Sequence, residues 1–347
     1  MKKITLLLTF AFFAFCFTAT SQDKHFSQFY LAPIMENPGN TGVFNGDIRA
    51  YTLYRMQWFT VTNPFKTFNI AVDGKILRKK MTGDDFFAAG LNITTDNEGP
   101  AHLKTSSYNA DLSFTKYLGG RQRHNITLGY EIGYNIKSIA LGGIKWDSQY
   151  DPSSGTYNSS MGSGEPGAGA KGYLDMSTGL VWNFTTTHLF RSSLGFSVAH
   201  FLAPNESIHA GSDRLIPKFG VQWNIGYKLS ETSNTTLQPS ISAYQQGTSL
   251  LVDGGLNVKY VLEERSRYTT AQTDKAVYFG IFYRFRDAAF LTFRYDYSDF
   301  SFSAAYDINV STLTPVSKSV GGFEIMLMYR GILGKNKLAK RSSVRFM

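Results

Sequence analysis

The sequence predicts an all-β protein: a transmembrane antiparallel β-barrel of about fourteen strands, with a structured N-terminal peptide plugging or bracing its lumen. Three observations carry that reading. First, large apolar side chains alternate with small or polar ones between residues 277 and 310. Val277, Phe279, Ile281, Tyr283 and Phe285 alternate with residues that include Gly280 and Arg284. Leu291, Phe293, Tyr295 and Tyr297 alternate with Thr292, Arg294, Asp296 and Ser298, and Phe302, Ala304, Tyr306, Ile308 and Val310 with Ser303, Ala305, Asp307 and Asn309. A period of two is the signature of strands with two unlike faces. Second, the corners at Asp287-Ala288 and Asp299-Phe300 are so tight that the strands they join must be antiparallel neighbours. Third, each Arg and Asp within these runs sits on the parity opposite the large apolar residues. That polar parity holds Gly, Ser, Thr, Asn and a few opposed charges, not the Lys and Glu of a solvated sheet. A wall facing lipid needs this division, because Arg or Lys on the lipid side costs about 2–4 kcal/mol near the midplane.

In chain order, Met1 to Gln22 reads as a secretory signal. Lys2 and Lys3 form its charged start, Ile4 to Thr18 its apolar stretch, and Ala19-Thr20-Ser21 supply small residues for cleavage. The domain reading is therefore residues 1–21 signal peptide, 22–46 N-terminal plug or brace, 47–332 barrel and 333–347 basic tail. No later stretch is apolar for long enough to form a membrane helix. The single cysteine, Cys16, lies inside the signal behind Phe15, where a lipoprotein signal requires a small residue. The mature chain then holds no thiol, and barrel closure must supply the stability a disulfide would otherwise give. The formal charge of +9 falls to +7 once Lys2 and Lys3 leave. An exported basic chain points to anionic lipid or an acidic partner, not to nucleic acid. An aromatic content of 15% suits interfacial girdles.

The segment Gln22 to Asn45 does not alternate. Pro33, Pro38, Gly39 and Gly42 punctuate it, and Phe26, Phe29, Tyr30, Ile34 and Met35 need a place to pack; the inside of a barrel provides one. A first strand is predicted from Asp47 to Phe59. Further strands are predicted over Phe65–Leu77, Phe86–Thr95, Leu103–Tyr117, Arg123–Ile136, Gly172–Phe184, Leu189–Phe201, Ile216–Leu229, Thr235–Gln245, Ser249–Leu262 and Ser319–Tyr329, besides the three opening runs. An even number suits a closed antiparallel barrel. With a periplasmic start, the loops Ser138–Ala170 and Pro204–Arg214 fall outside the cell. Glu263–Asp274 and the tail from Lys335 fall on the periplasmic side, where a loop as long as Glu263–Asp274 is exceptional.

The peptide Asp23 to Gly42, with His25-Phe26-Ser27-Gln28-Phe29-Tyr30, Pro33 and Asn37-Pro38, followed by Tyr54-Arg55-Met56-Gln57-Trp58, resembles the opening of the PorP/SprF family. The likeness runs on to Gly321-Gly322-Phe323-Glu324. Lys24 and Gly39-Asn40 depart from the pattern, standing in place of a proline and a small apolar pair. The resemblance implies an integral outer-membrane protein of Bacteroidota tied to type IX secretion and gliding motility. It also implies partners: a secreted adhesin, or its C-terminal secretion domain, at the external loops, and type IX secretion or motility components in the periplasm. The residues expected to mark the family and brace the lumen are His25, Phe26, Gln28, Phe29, Tyr30, Pro33, Asn37, Pro38, Arg55, Gln57 and Trp58. Arg55 and Gln57 lie on the polar side of the first strand, where a hydrogen-bond network holding the peptide is the bland reading and partner contact the functional one. The rival function is a diffusion channel or solute transporter on the same scaffold.

Chemical motifs are weak. Gly162, Gly164 and Gly167 match GxGxxG, but no helix follows as a dinucleotide site requires. Asp96-Asn97-Glu98 reads as a solvated hairpin tip, not a calcium loop. The six histidines have no metal-ligand spacing. A surface lipase would need a Ser-His arrangement, and His124 with Ser193 is the available pair. Trp58, Trp146, Trp182 and Trp223 read as girdle or core residues. No catalytic residue, cofactor or metal is expected.

Overall fold

The computed structural model describes residues 23–333 apart from 62, 78–80, 82–83, 119–123, 141–144, 159, 163–168, 187–188, 210, 264–273 and 313. The predicted signal peptide and nearly all of the basic tail therefore lie outside the described residues, as does most of the Glu263–Asp274 loop. Sixteen strands follow in order: β1 (Ile48–Gln57), β2 (Phe65–Ile76), β3 (Phe86–Glu98), β4 (Leu103–Leu118), β5 (His124–Ile139), β6 (Tyr150–Asp151), β7 (Thr156–Tyr157), β8 (Gly169–Thr185), β9 (Phe190–Ala199), β10 (Lys218–Lys228), β11 (Thr235–Gln246), β12 (Ser249–Glu263), β13 (Lys275–Arg284), β14 (Ala288–Tyr297), β15 (Phe300–Asn309) and β16 (Val320–Gly331). Fourteen close into one antiparallel barrel in which every strand pairs with its neighbours in sequence and β1 pairs with β16. The other two, β6 and β7, form a small hairpin inside the long loop between β5 and β8, a piece of structure the Gly/Ser-rich composition hid. Two corners shift slightly from their expected places, to residues 285–287 and 298–299.

The alternation sorts as lipid requires. On β13 the odd residues face out and Ala276, Tyr278, Gly280, Phe282 and Arg284 face in. Phe279 is 62% exposed on the outer face, while Arg284 and Glu324 are each 1% exposed on the inner one. Arg294 also turns inward, its side chain 14% exposed against Asp296. Aromatic contacts cluster outside near one rim, where Trp182 packs on Phe184 at 5.1 Å, Phe184 on Phe190 at 5.8 Å and Phe300 on Tyr329 at 5.2 Å. Those side chains tolerate the mixed polarity of the interface.

The two rims differ. One gathers the connections 140–168, 200–217 and 310–319; the other has the two-residue turn 298–299 and the short connections 186–189 and 229–234, together with the longer 77–85 and 264–274. The 200–217 loop folds back over the mouth. Glu206 meets two inward-facing residues, Lys137 at 2.9 Å and Tyr173 at 3.4 Å. A one-turn helix, α1 (Thr314–Ser317), covers the side near β1 and β15: Ser317 is fully buried, accepting from Asn309 Nδ2 at 3.1 Å and, through its carbonyl, from Thr60 at 3.2 Å.

Two motif readings change. Asp96 is 6% exposed inside β3 and accepts from Thr67 Oγ1 at 2.6 Å, so Asp96-Asn97-Glu98 is no solvated tip; the turn comes after it. His124 faces outward, stacked on Trp182 and Phe184, whereas Ser193 lies opposite Asn183, a buried residue of the inner face. The wall separates them, so these two form no nucleophile–base pair. Replacing Phe279 by Arg should cost ~2–4 kcal/mol of folding free energy in lipid vesicles, measured by urea titration. An unchanged midpoint would mean that this face does not meet lipid.

Candidate functional site

Residues 23–47 lie inside the barrel. The peptide enters beneath the loop rim at Asp23, descends, and leaves at the opposite rim, where the Asp47 amide donates to the Gly331 carbonyl at 2.8 Å. Its local shape follows from its prolines. A 3-10 turn at Phe29–Leu31 leads into the helical turn Pro33–Glu36, with Pro33 at the first position, where no amide donor is lost. A second 3-10 turn, Pro38–Asn40, is capped by Asn37, whose Oδ1 accepts from the Gly39 amide at 2.7 Å. These folds are too tight to bury their own polar groups, so the barrel wall supplies partners.

The upper clamp is electrostatic. Asp23 pairs with Lys218 and with His200, which in turn meets Asp175 at 2.5 Å; the Asp23 amide donates to Gln246 and Lys24 Nζ to Ser107. Below it lies a fully buried cluster. Arg284 Nε meets Asp253 at 2.9 Å and its Nη1 meets Asp307 at 3.5 Å, while Arg55 reaches Asp307 at 3.4 Å and Glu324 at 3.3 Å. The peptide threads this cluster. The Ser27 and Gln28 amides donate to Glu324 at 2.6 and 3.0 Å, Ser27 Oγ to Asp307 at 2.6 Å, and Arg55 donates to the His25 carbonyl. Three carboxylates and two guanidiniums are held away from water, and each added peptide donor offsets the surplus negative charge.

The middle of the seat is apolar. Phe26, Leu31, Ala32 and Ile34 pack on Tyr51, Leu53, Ala71, Met326 and Met328, all from the inner face. Phe29 meets Phe282 edge-on at 6.0 Å, and Tyr30 stacks on Phe282 at 5.2 Å with its hydroxyl 3.2 Å from Thr292 Oγ1. The inward parity, read as polar between residues 277 and 310, thus also carries apolar side chains. Lumen-facing apolar side chains occur where the peptide has apolar ones to bury.

Farther down, Asn37 Nδ2 donates to the Leu180 and Phe196 carbonyls at 3.4 and 3.1 Å. Pro38 and Asn37 press onto Gly129 and Gly179; a Cβ at either glycine would overlap the Pro38 carbonyl or the Asn37 amide. Glycine is required here for close approach of two backbones. Lower still, the Thr41 carbonyl accepts from Ser113 Oγ at 2.7 Å and the Gly42 amide donates to Asp73 at 2.7 Å. Asp73 is also gripped by both arms of Arg49 at 2.8 and 2.9 Å. Gln28 meets Ser303, Tyr244 meets Glu36, and Gly42 abuts Ala88. With these, every barrel strand from β1 to β16 contributes to the seat.

Of the residues singled out from the sequence, His25, Phe26, Gln28, Phe29, Tyr30, Pro33, Asn37, Pro38 and Arg55 are brought together in this network. Pro33 contributes its carbonyl, which accepts from Asn40 Nδ2 at 3.0 Å. Gln57 and Trp58 stand apart at the top of β1. Gln57 is paired in register with Gly322 and Phe65, and Trp58 packs edge-on against Phe65 at 4.8 Å. The residues missed were Arg49, Asp73, Lys218, His200, Phe282 and Phe290; bulky or charged side chains on the inward parity were the available signal. Among the described residues, no three His, Cys, Asp or Glu side chains gather as metal ligands.

A family profile described as type IX secretion system membrane protein PorP/SprF matches residues 18–329. No curated protein matches the chain in sequence. Among solved structures, CdiB from Acinetobacter baumannii aligns at 10% identity over 82% of this chain and 60% of its own, with a TM-score of 0.42. The Pseudomonas putida toluene transporter TodX aligns at 10% identity over 86% of this chain and 93% of its own, with a TM-score of 0.48. BamA from Haemophilus ducreyi lacking POTRA domains 1–3 aligns at 8% identity over 82% and 70%, with a TM-score of 0.40.

Two outcomes follow from the clamps. Arg284→Ala leaves Asp253 and Asp307 short of a counter-charge and should destabilise the barrel by about 3–5 kcal/mol in equilibrium denaturation. A loss below about 1 kcal/mol, the range of an exposed pair, would show a solvated cluster. At the mouth, burial opposes a charged His200 ring, but the hydrogen bonds and charges of Asp175 and Asp23 outweigh it and raise its pKa from 6.5 to about 9. A raised folded-state value stabilises fully below 6.5 and is lost as pH climbs through about 9. Amide-exchange protection at residues 23–25 should therefore fall across that window, and His200→Gln should flatten the dependence.

Proposed function

The chain belongs to the PorP/SprF family of type IX secretion system membrane proteins, and from that premise we propose that this outer-membrane barrel acts as a non-catalytic dock. Its external loops hold a secreted adhesin, or the C-terminal secretion domain of one, and its other rim meets periplasmic secretion or motility components. The observation that carries the reading is the filled lumen. A conduit would first have to expel a peptide seated on every strand through buried ion pairs, an apolar core and glycine-dependent backbone contacts. Work done without emptying the barrel falls to the rims.

The loop rim has the chemistry for holding a protein. The β6–β7 hairpin carries Tyr150 and Tyr157, 40% and 46% exposed, with ring centroids 5.2 Å apart, and Lys145 lies 5.2 Å from the Tyr157 ring. Rigid aromatic side chains beside a cation make strong anchors at low entropic cost. A second reading, a solute channel, draws on a small recess near the mouth lined by Asp23, Glu36, Lys218 and Tyr244 among others.

Deleting residues 147–158, which spares β5 and β8, should abolish retention of the adhesin at the cell surface while the barrel keeps its heat-modifiable band on gels. Full retention would reject the dock. In planar bilayers the intact chain should be electrically silent; steady single-channel steps would instead favour the transport reading.

A further inference from the structure

At the loop rim β8 leaves a long stretch of sheet edge uncovered. It pairs with β5 along nearly its whole length, from Gly169 opposite Ile139 to Phe184 opposite His124. On its other side it pairs with β9 only from Thr178 to Thr185. The last bond on that side runs from the Phe201 amide to the Met176 carbonyl at 3.3 Å, and the Met176 amide is answered by Asp175 Oδ1 at 2.9 Å. Backbone groups alternate sides along a strand, so those of Ala170, Gly172 and Leu174 point the same way as Met176, away from β5. Among the described residues no backbone hydrogen bond reaches them from that side.

Hydrocarbon does not tolerate an open edge, so this one stands beyond it, on the water side. From Thr178 to Gly169 the strand runs on for about 30 Å, at ~3.3 Å per residue. The 200–217 loop leaves it bare, because Glu206 turns inward to Lys137 and Tyr173. Edges are normally blunted by a proline, a bulge or a short strand, and between Gly169 and Ser177 there is none of these. An apolar strip lies beside the edge on the outer face. Leu174 is 58% exposed, and Tyr134 and Ile136, directly across from Leu174 and Gly172 on β5, are 48% and 37% exposed. At this height the wall no longer meets lipid, so those side chains have no lipid to cover them.

A row of unpaired amides and carbonyls is complementary to a second extended backbone. Another copy of this chain cannot supply it. Antiparallel pairing of two identical edges needs a two-fold axis perpendicular to the strands, and that axis would turn one barrel upside down in the membrane. The edge therefore fits a strand from a different protein, and its two flanks describe that strand. On the outer side its residues would be apolar, continuing the strip of Leu174 and Tyr134. On the lumen side they would be polar, beside Lys171, Tyr173 and Asp175. Alternation of this kind is what an extended segment presents.

We propose that residues 169–175 of β8 receive an extended segment of the secreted protein held at this rim, which adds a strand to the barrel wall. This rests on the docking function above and names its mode of capture. The test mixes the full chain in detergent with the purified C-terminal secretion domain of the adhesin and follows amide exchange residue by residue. Exchange at Ala170, Gly172 and Leu174 should slow at least tenfold, while Lys171, Tyr173 and Asp175, whose amides face β5, should not change. Ala170→Pro combined with Leu174→Pro removes two edge-directed donors and spares the β5 ladder. That variant should bind the domain at least tenfold more weakly while keeping its heat-modifiable band; if it fails to fold, the wild-type exchange pattern decides alone. A bound domain that leaves the three edge amides unprotected, or equal affinity in the folded double variant, overturns strand addition and leaves the dock standing. Protection of the same amides in the chain alone, growing with its concentration, would mean that copies pair there and overturns it too. A wild-type chain that does not bind the domain removes the dock, and strand addition with it.

Discussion

The rest of the structure depends on the seam between β1 and β16. In hydrocarbon every backbone amide and carbonyl must find a partner within the protein, so a sheet there has to close. The seam does this in unbroken register from Ile48 opposite Gly331 to Gln57 opposite Gly322. Closure fixes which parity faces in, and it sets Arg55 directly across from Glu324. That one carboxylate then receives Arg55 from the wall and the amides of Ser27 and Gln28 from the peptide. Closing the cylinder and filling it draw on the same side chain.

The filling divides its labour by chemistry. Charges sit at the upper clamp, in the Arg55–Arg284 cluster and at the Arg49–Asp73 pair; apolar contacts occupy the middle. Burying side chains such as Phe26, Ile34 and Leu53 contributes roughly 1.5–3 kcal/mol each, which holds the peptide without specifying its register. The ion pairs contribute little net energy after desolvation, but each excludes a shifted arrangement that would leave a charge unmet. Arginine suits the task because its planar fork can satisfy two carboxylates at once, as Arg284 does with Asp253 and Asp307.

Most of the wall was legible from the sequence because lipid imposes one rule on every strand. Val277 to Val310 obeys that rule so strictly that parity alone placed Arg284 and Arg294 on the correct face. Boundaries drifted where the rule lapses: β3 runs on to Glu98 because Asp96 is an inward residue bonded to Thr67, not a turn residue. What sequence could not give was the seat. Phe282, Phe290, Met326 and Met328 break the polar inner pattern, and their reason lies in Phe29, Tyr30 and Ile34, more than 240 positions away in the chain. Likewise Lys218 and His200 acquire a role only once folding carries Asp23 to the mouth. Side chains that meet across the lumen leave no periodicity to read.

The geometry of the seam also has a mechanical consequence. A load applied between the two rims runs along the strands, so the paired rungs from Ile48 to Gln57 bear it together, in shear, instead of tearing one after another as in an unzipping sheet. The peptide stiffens this further, since it is rooted in β1 below and gripped by Arg55 above. A barrel strung this way can transmit tension from one side of a membrane to the other without opening.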